Sequence, residues 1–127
     1  MTAANLMYIG AYTRSEPHVQ GAAQGIYTYQ VNPDTGALTH IKTTPGLENP
    51  TFLTVDPTER YLYAVSEVGE YEGTPSGSVA AYAIDDEGGL TLLNQQASHG
   101  IAPCHVCAGP DGSYVLLTNY GSGVVSI

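Results

Sequence analysis

Cations are scarce in this sequence. Its 127 residues include 3 Lys and Arg against 12 Asp and Glu, so the formal net charge is −9 with the histidines neutral. A surface that binds nucleic acid needs clustered cations to neutralise phosphates, and Arg14, Lys42 and Arg60 are scattered along the chain. Binding to an anionic membrane surface is disfavoured for the same reason, and no apolar run approaches the ~20 residues that span a bilayer. We therefore expect neither nucleic acid nor a membrane as a partner.

Tryptophan is absent, and there are two cysteines, Cys104 and Cys107. Their C-x-x-C spacing occurs in zinc sites, but such a site usually needs a second pair of ligands, which the sequence lacks. Residues three apart in a strand also point to opposite faces, so one metal ion could not take both thiolates. We expect two small buried thiols, and neither a metal nor another cofactor.

The N-terminal segment, residues 1–10, lacks the positive charges and the long apolar stretch of a secretory signal peptide. Two cysteines are also compatible with a reducing compartment. From these two observations we expect a cytoplasmic protein.

Glycine, proline and tyrosine are plentiful, at 15, 8 and 10 residues, and they suit short strands joined by tight turns. In residues 61–66, the side chains on both faces of an extended strand are largely apolar. Strands of this kind belong to sheets that are covered on both sides. Because no helical stripe with caps is evident, the sequence predicts an all-β fold. The same pattern recurs in residues 26–31, 79–84 and 114–118.

The chain repeats itself at a step of 53 residues. Residues 50–66 align with residues 103–119, so that Pro50 falls on Pro103. Four antiparallel strands that repeat every ~40–50 residues are typical of a β-propeller blade. A β-sandwich is the alternative, but it predicts one solvated face for each strand and no such repeat. The strands of the complete unit are predicted near 52–55, 61–66, 78–84 and 90–96.

The repeat divides the chain into about two and a half four-stranded blades. Propellers have about four to eight blades, so these units cannot close a ring by themselves. We expect the chain to be the N-terminal part of a single longer propeller domain, in which the closing strand of the first blade comes from the C-terminus of the full-length protein. The predicted units are blade 1 at about 6–43, blade 2 at about 50–96 and a partial blade 3 at about 103–127.

Six short motifs run in order through the chain: YIGAYT at 8–13, GIY at 25–27, NPTFL at 49–53, YLYAVSE at 61–67, APCH at 102–105 and NYGSG at 119–123. Together they resemble the lactonase family of seven-bladed β-propellers, which includes propeller-type 6-phosphogluconolactonases and is related to 3-carboxymuconate cyclase. The resemblance covers nearly all of this chain and about the first third of a family member.

The resemblance implies an enzyme that opens 6-phosphogluconolactone by ester hydrolysis, in the pentose phosphate pathway, with a sugar lactone as its small-molecule substrate. We expect the full-length protein to be monomeric, and the 127 residues alone to be inactive because later blades complete the site. The alternatives are a muconate-type cyclase or another sugar-lactone hydrolase on the same scaffold, and a non-catalytic binding propeller.

Positions where one repeat turns polar are the candidate site residues. His105 stands where the preceding repeat has Phe52, on a first strand, and first strands are innermost in propellers. We expect His105 to be catalytic, as a general base or as a donor to the carbonyl oxygen, because an ordinary histidine pKa near ~6.5 suits either role. A hydrogen-bonded structural histidine is the alternative.

Three further residues complete the predicted site. Glu67, at the end of a second strand, is the other catalytic candidate, where it would orient a water or bind sugar hydroxyls; a solvated carboxylate is the alternative. Asn119 and Tyr120, at the matching rim of the next blade, are predicted to bind substrate hydroxyls.

Other polar residues receive a structural interpretation. Asn49, before Pro50, is expected to cap a turn. The histidines at 18, 40 and 99 are expected at the surface. Since neither Lys42 nor Arg60 is well placed to bind a phosphate, we expect a phosphate site, if there is one, in the rest of the protein.

Overall fold

The computed structural model describes residues 5–127. Residues 1–4 lie outside the described residues. They begin the segment from which the absence of a signal peptide is predicted. The described part of the chain consists of ten β-strands, which confirms the all-β prediction. The strands are β1 Leu6–Ile9, β2 Ile26–Val31, β3 Leu38–Thr44, β4 Leu53–Val55, β5 Tyr61–Ser66, β6 Ser78–Ile84, β7 Leu90–Ala97, β8 Pro103–Ala108, β9 Val115–Asn119 and β10 Val124–Ser126.

The strands form three antiparallel sheets in chain order. The first sheet has the order β1-β2-β3, the middle sheet β4-β5-β6-β7 and the third sheet β8-β9-β10. All pairings join strands that are consecutive in the sequence, as expected for meanders linked by short turns. The four strands predicted for the complete unit are present as the middle sheet, and β4 and β8 are edge strands.

Two apolar cores lie between the sheets. Ala64 of β5 belongs to a core shared with Ile26 of the first sheet, whereas its neighbour Val65 packs against Val106 and Leu117 of the third sheet. Successive residues of a strand point to opposite faces, so the middle sheet is apolar on both faces because each face has its own partner sheet. This stacking explains the pattern from which a propeller is predicted.

The backbone repeats as well as the sequence. Asn49 and Ala102, 53 residues apart, both have left-handed conformations, with φ of 45° and 54°, and both precede a proline that leads into an edge strand. Their carbonyls accept the same backbone hydrogen bond, from Glu67 at 3.1 Å and from Tyr120 at 3.0 Å. Two neighbouring sheets are thus entered through the same turn, and the residue that follows each second strand is tied to it.

The turn between β4 and β5 is organised by Asp56, which is 4% exposed. One carboxylate oxygen accepts hydrogen bonds from the backbone and hydroxyl of Thr58, and the other accepts from the amides of Arg60 and Tyr61, at 2.6–3.0 Å. Burial by itself would raise the pKa of Asp56, but these donors outweigh it and hold the pKa below its usual value. The ionised carboxylate is therefore part of the folded turn.

We expect Asp56→Ala to lower the free energy of unfolding by about 2–3 kcal/mol, because a charged acceptor is lost and buried donors are left unpaired. The folded pKa lies below the unfolded one, so the contribution is present at neutral pH and is lost as the pH falls through the folded pKa. Urea denaturation at neutral and at strongly acidic pH measures both effects.

Asp111→Ala is the matched control, because Asp111 lies in the corresponding exposed turn of the third sheet and bonds Ser113 only. It should have a much smaller effect. Equal losses in the two variants, or a loss for Asp56→Ala that does not depend on pH, would contradict this account of the turn.

Candidate functional site

His105 lies exposed on β8, at the place where the edge strands of two sheets approach each other. Its ring contacts that of Phe52, the residue just before β4, with the ring centroids 4.4 Å apart and the planes inclined by 44°. The two residues that the repeat aligns are therefore in contact across neighbouring sheets. Because Phe52 is also exposed, at 38%, this aromatic pair presents an imidazole to solvent rather than burying it.

Glu67 joins the first and middle sheets. Its Oε1 accepts a hydrogen bond from the Tyr12 hydroxyl at 2.7 Å, and its Oε2 accepts one from the Thr51 hydroxyl. Thr51 directly precedes Phe52, so Glu67 is connected to the aromatic pair of His105 through two adjacent residues. Within residues 5–127, no hydrogen bond joins Glu67 to His105 directly.

Tyr12 supplies the phenol of this arrangement, a role that no pattern in the sequence indicated. Partial burial, the hydrogen bond to Glu67 and the nearby charges of Glu67 and Glu16 raise the pKa of Tyr12 to about 12. The phenol is consequently protonated at neutral pH and donates its proton to Glu67.

His18 also contacts Tyr12. Its Nε2 is 3.3 Å from the Tyr12 oxygen, and the two rings meet edge to face with centroids 5.6 Å apart. His18 is exposed, as predicted for a surface histidine. No pattern in the sequence indicates the contact with Tyr12, since spacing alone does not show how a loop folds back.

Asn49 holds the β1–β2 loop in place through side-chain hydrogen bonds. Its side chain is buried, and its Oδ1 accepts from the amides of Thr13 and Arg14 at 3.0 and 3.2 Å. Its Nδ2 donates to Glu16 Oε1 at 2.9 Å and to the Glu67 carbonyl at 3.2 Å. The expected turn cap is therefore a wider junction, which ties the β1–β2 loop to the end of β5.

Arg14 is held by two carboxylates in the same loop. Its guanidinium makes ion pairs of 2.7 Å with Glu16 and with Glu48, and its side chain is 44% exposed. The hydrogen bond from Arg14 is the main cause that lowers the pKa of Glu16, so both partners are charged at neutral pH. This end of the molecule therefore carries excess negative charge around Glu67.

Asn119 and Tyr120 are placed very differently. Asn119 is 1% exposed, and its Nδ2 donates to the carbonyls of Ser98 and Val124 and to the Ser126 hydroxyl at 3.2–3.3 Å. Its amide nitrogen thus serves the fold, and its Oδ1 is buried without a hydrogen-bond partner among the described residues. Tyr120 is 83% exposed and its phenol faces solvent. Their binding roles stay predictions.

The two cysteines are less buried than expected. Cys104 and Cys107 are free thiols, as predicted, but both are half-buried rather than buried, because β8 is an edge strand and has a partner strand on one side only. The Cys104 sulfur lies 3.8 Å from the Thr118 carbonyl.

Over residues 5–127, no group of three or more His, Cys, Asp or Glu side chains is arranged to hold a metal ion. The same residues include no helix that is long and apolar enough to cross a membrane.

Comparison with known families gives one match along nearly the whole chain. The family model described as a seven-bladed β-propeller lactonase matches residues 6–127. A 6-phosphogluconolactonase of Bacillus subtilis is 36% identical over 121 residues, which are 94% of this chain and 32% of that protein. The chain thus spans about a third of the length of the relatives that it matches.

Solved structures give the same picture. A protein of Bacteroides uniformis, described as a candidate 6-phosphogluconolactonase, superposes with a TM-score of 0.83 at 32% identity, over 98% of this chain and 33% of that one. A periplasmic gluconolactonase of Pseudomonas aeruginosa superposes with a TM-score of 0.74 at 27% identity, over 91% of this chain and 31% of that one. These likenesses confirm the predicted propeller fold, of which this chain forms a part.

We expect Asn49→Ala to loosen the β1–β2 loop and to speed trypsin cleavage after Arg14 about tenfold, since about 1–2 kcal/mol of hydrogen bonding is removed. Cleavage after Arg60, in a turn that Asn49 does not touch, is the internal control. Faster cleavage in Asn49→Ala could result from the lost side-chain hydrogen bonds or from strain of alanine in the left-handed conformation. Asn49→Gly separates these two causes, because glycine accepts the left-handed backbone without strain. Equal acceleration in both variants supports the side-chain junction, and acceleration in Asn49→Ala alone would contradict it.

Proposed function

The chain belongs to the lactonase family of seven-bladed β-propellers, and on that premise we propose that its full-length protein hydrolyses a sugar lactone. We further propose that each of the three sheets belongs to one blade, at about 6–43, 50–96 and 103–127. The names of the relatives support 6-phosphogluconolactone as the first substrate to test. Since this chain spans about a third of those relatives, the activity is that of the whole protein, and we expect the 127 residues alone to be inactive.

The observation that carries the proposal is the convergence of reactive groups where two edge strands meet. His105 is exposed beside Phe52, and Thr51, the neighbour of Phe52, is bonded to Glu67. Lactone hydrolysis needs a base for the attacking water and a donor for the carbonyl oxygen, where negative charge develops. An accessible imidazole suits either task. The contacts of Glu67 favour a role in holding neighbouring groups, because both of its oxygens are engaged by Tyr12 and Thr51.

Charge bears on which lactone is taken. In the described third of the propeller, Arg14 is bound by Glu16 and Glu48, while Lys42 lies on β3, an outer edge strand. Arg60 lies over the ring of Tyr61 in the β4–β5 turn. A phosphate is best held by guanidinium or ammonium groups that are free to bind it. We therefore propose that this third binds the uncharged ring of the substrate and that a phosphate site belongs to the rest of the protein.

The same charge distribution favours a second candidate, an unphosphorylated gluconolactone, which is the substrate class that the name of the Pseudomonas aeruginosa structure gives. A muconate-type cyclase and a binding propeller without catalysis remain the alternatives that an assay decides. We propose that the full-length protein is monomeric and cytoplasmic. If the phosphorylated lactone is its substrate, the protein acts in the pentose phosphate pathway.

The first experiment measures hydrolysis of 6-phosphogluconolactone and of gluconolactone by the full-length protein and by its His105→Phe variant. Phenylalanine is the residue of the preceding repeat, so the ring contact with Phe52 is kept and proton transfer is lost. We expect kcat/KM to fall at least about 100-fold with an unchanged Tm. Unchanged kcat/KM would remove His105 from the mechanism, and a wild-type protein that opens neither lactone would overturn the proposed function.

Arg14→Gln tests the assignment of the phosphate site. Because its ion pairs with Glu16 and Glu48 are exposed, their loss should cost little stability, about 1 kcal/mol or less. We expect kcat/KM for both lactones to change less than about threefold, a difference of less than ~0.7 kcal/mol. A large loss confined to the phosphorylated lactone would instead show that Arg14 binds the phosphate.

A further inference from the structure

A chain of three side chains runs from Glu67 through Tyr12 to His18, and it orients the imidazole. A phenol carries one proton, and the Tyr12 hydroxyl gives that proton to Glu67 Oε1 at 2.7 Å. The Tyr12 oxygen can then only accept from His18 Nε2, 3.3 Å away. Nε2 of His18 must therefore carry a hydrogen, and in the neutral ring Nδ1 is left as an unprotonated acceptor.

Charged and polar groups surround this ring. Within the described residues, the charged and titratable groups that face His18 are Tyr12, Glu16 and its partner Arg14 from the same β1–β2 loop, and Glu67 beyond the phenol. A base oriented by a second group, which is itself bonded to a carboxylate, is the arrangement that catalytic histidines use.

His18 is also held in place rather than carried on a loose loop. It lies in a turn closed by two backbone hydrogen bonds between Glu16 and Val19, at 2.8 and 3.1 Å. Glu16 is in turn bound by Asn49 Nδ2 and by Arg14. An exposed imidazole whose Nε2 contacts Tyr12, and whose Nδ1 has no partner within the described residues, is thereby preorganised for proton transfer.

We propose that His18 is a further catalytic residue of the site and that Tyr12 is its positioning residue; the proposal rests on the lactone hydrolysis proposed above. His18 Nδ1 takes a proton from water as the water oxygen forms its bond to the lactone carbonyl carbon. When the ring C–O bond breaks, the Nδ1 proton passes to the leaving ring oxygen and gives the hydroxyl of the open acid. His105 then has the donor role toward the carbonyl oxygen.

The test compares His18→Gln and Tyr12→Phe in the full-length protein with a matched pair far from the site. The control variants are His40→Gln and Tyr29→Phe, since His40 on β3 is likewise exposed and packs edge to face on Tyr29, with centroids 5.3 Å apart. We expect His18→Gln to lower kcat about 100-fold with little change in KM, and to remove the acidic limb of the pH profile of kcat/KM. The control variants should leave both unchanged.

A second readout reports on the positioning by Tyr12. Nitrogen-15 NMR of histidine-labelled protein, assigned by the signal that His18→Gln removes, should show the Nε2–H form of His18 in the wild type and a mixture of the two neutral forms in Tyr12→Phe. Tyr12→Phe removes the hydrogen bond to Glu67 and should lower Tm slightly, and it should also lower kcat about tenfold at temperatures where the protein is folded. A structural role alone would lower Tm without lowering kcat in the folded protein or changing the pH profile.

The outcomes separate the two proposals. Full activity and an unchanged pH profile in His18→Gln, in a protein that hydrolyses lactones, would overturn the catalytic role of His18 alone. An Nδ1–H form in the wild type would overturn the positioning role of Tyr12. A wild-type protein without lactonase activity would overturn the proposed function and, with it, the role of His18.

Discussion

The rest of the structure depends on a left-handed turn immediately before a proline. Asn49 adopts this conformation at Pro50, and Ala102 repeats it at Pro103. Non-glycine residues pay about 1–3 kcal/mol for such backbone angles, so they persist only where the surroundings hold them. At Asn49 the buried side chain supplies that support through four hydrogen bonds, and Gly10 leaves room for it, because a Cβ there would lie 1.8 Å from the Pro50 carbonyl oxygen.

This turn links the fold to the candidate site. It fixes the point at which β4 begins, and so brings Thr51 to Glu67 and Phe52 to His105. The same side chain that supports the turn holds the β1–β2 loop, on which His18 reaches Tyr12. Stability and site geometry therefore share their contacts, and groups from all three sheets meet at one end of the stack. At the opposite end, Asp56 organises the turn between β4 and β5.

Much of the fold could be predicted from the sequence, because it follows from local patterns. Short segments that are apolar on both faces indicated the strands, prolines indicated the turns, and the 53-residue step indicated the equivalence of Phe52 and His105. The contacts within the candidate site were harder to predict from the sequence. Tyr12 and Glu67 are 55 residues apart and meet only through the path of a loop that a buried amide fixes. No periodicity indicates such a junction, nor that packing of β10 would take up the Asn119 amide nitrogen. The repeat indicated candidate positions but not their partners.

We propose that the substrate meets the protein where β4 and β8 approach each other. A crystal structure of the full-length protein with the open-chain product, gluconate or its 6-phosphate, would locate this contact. We expect the product carboxylate within hydrogen-bond distance, about 3 Å, of the His105 ring, with hydroxyls directed toward the Glu67 end. Product bound at the opposite end, beside the turn of Asp56, or outside the propeller altogether, would contradict it.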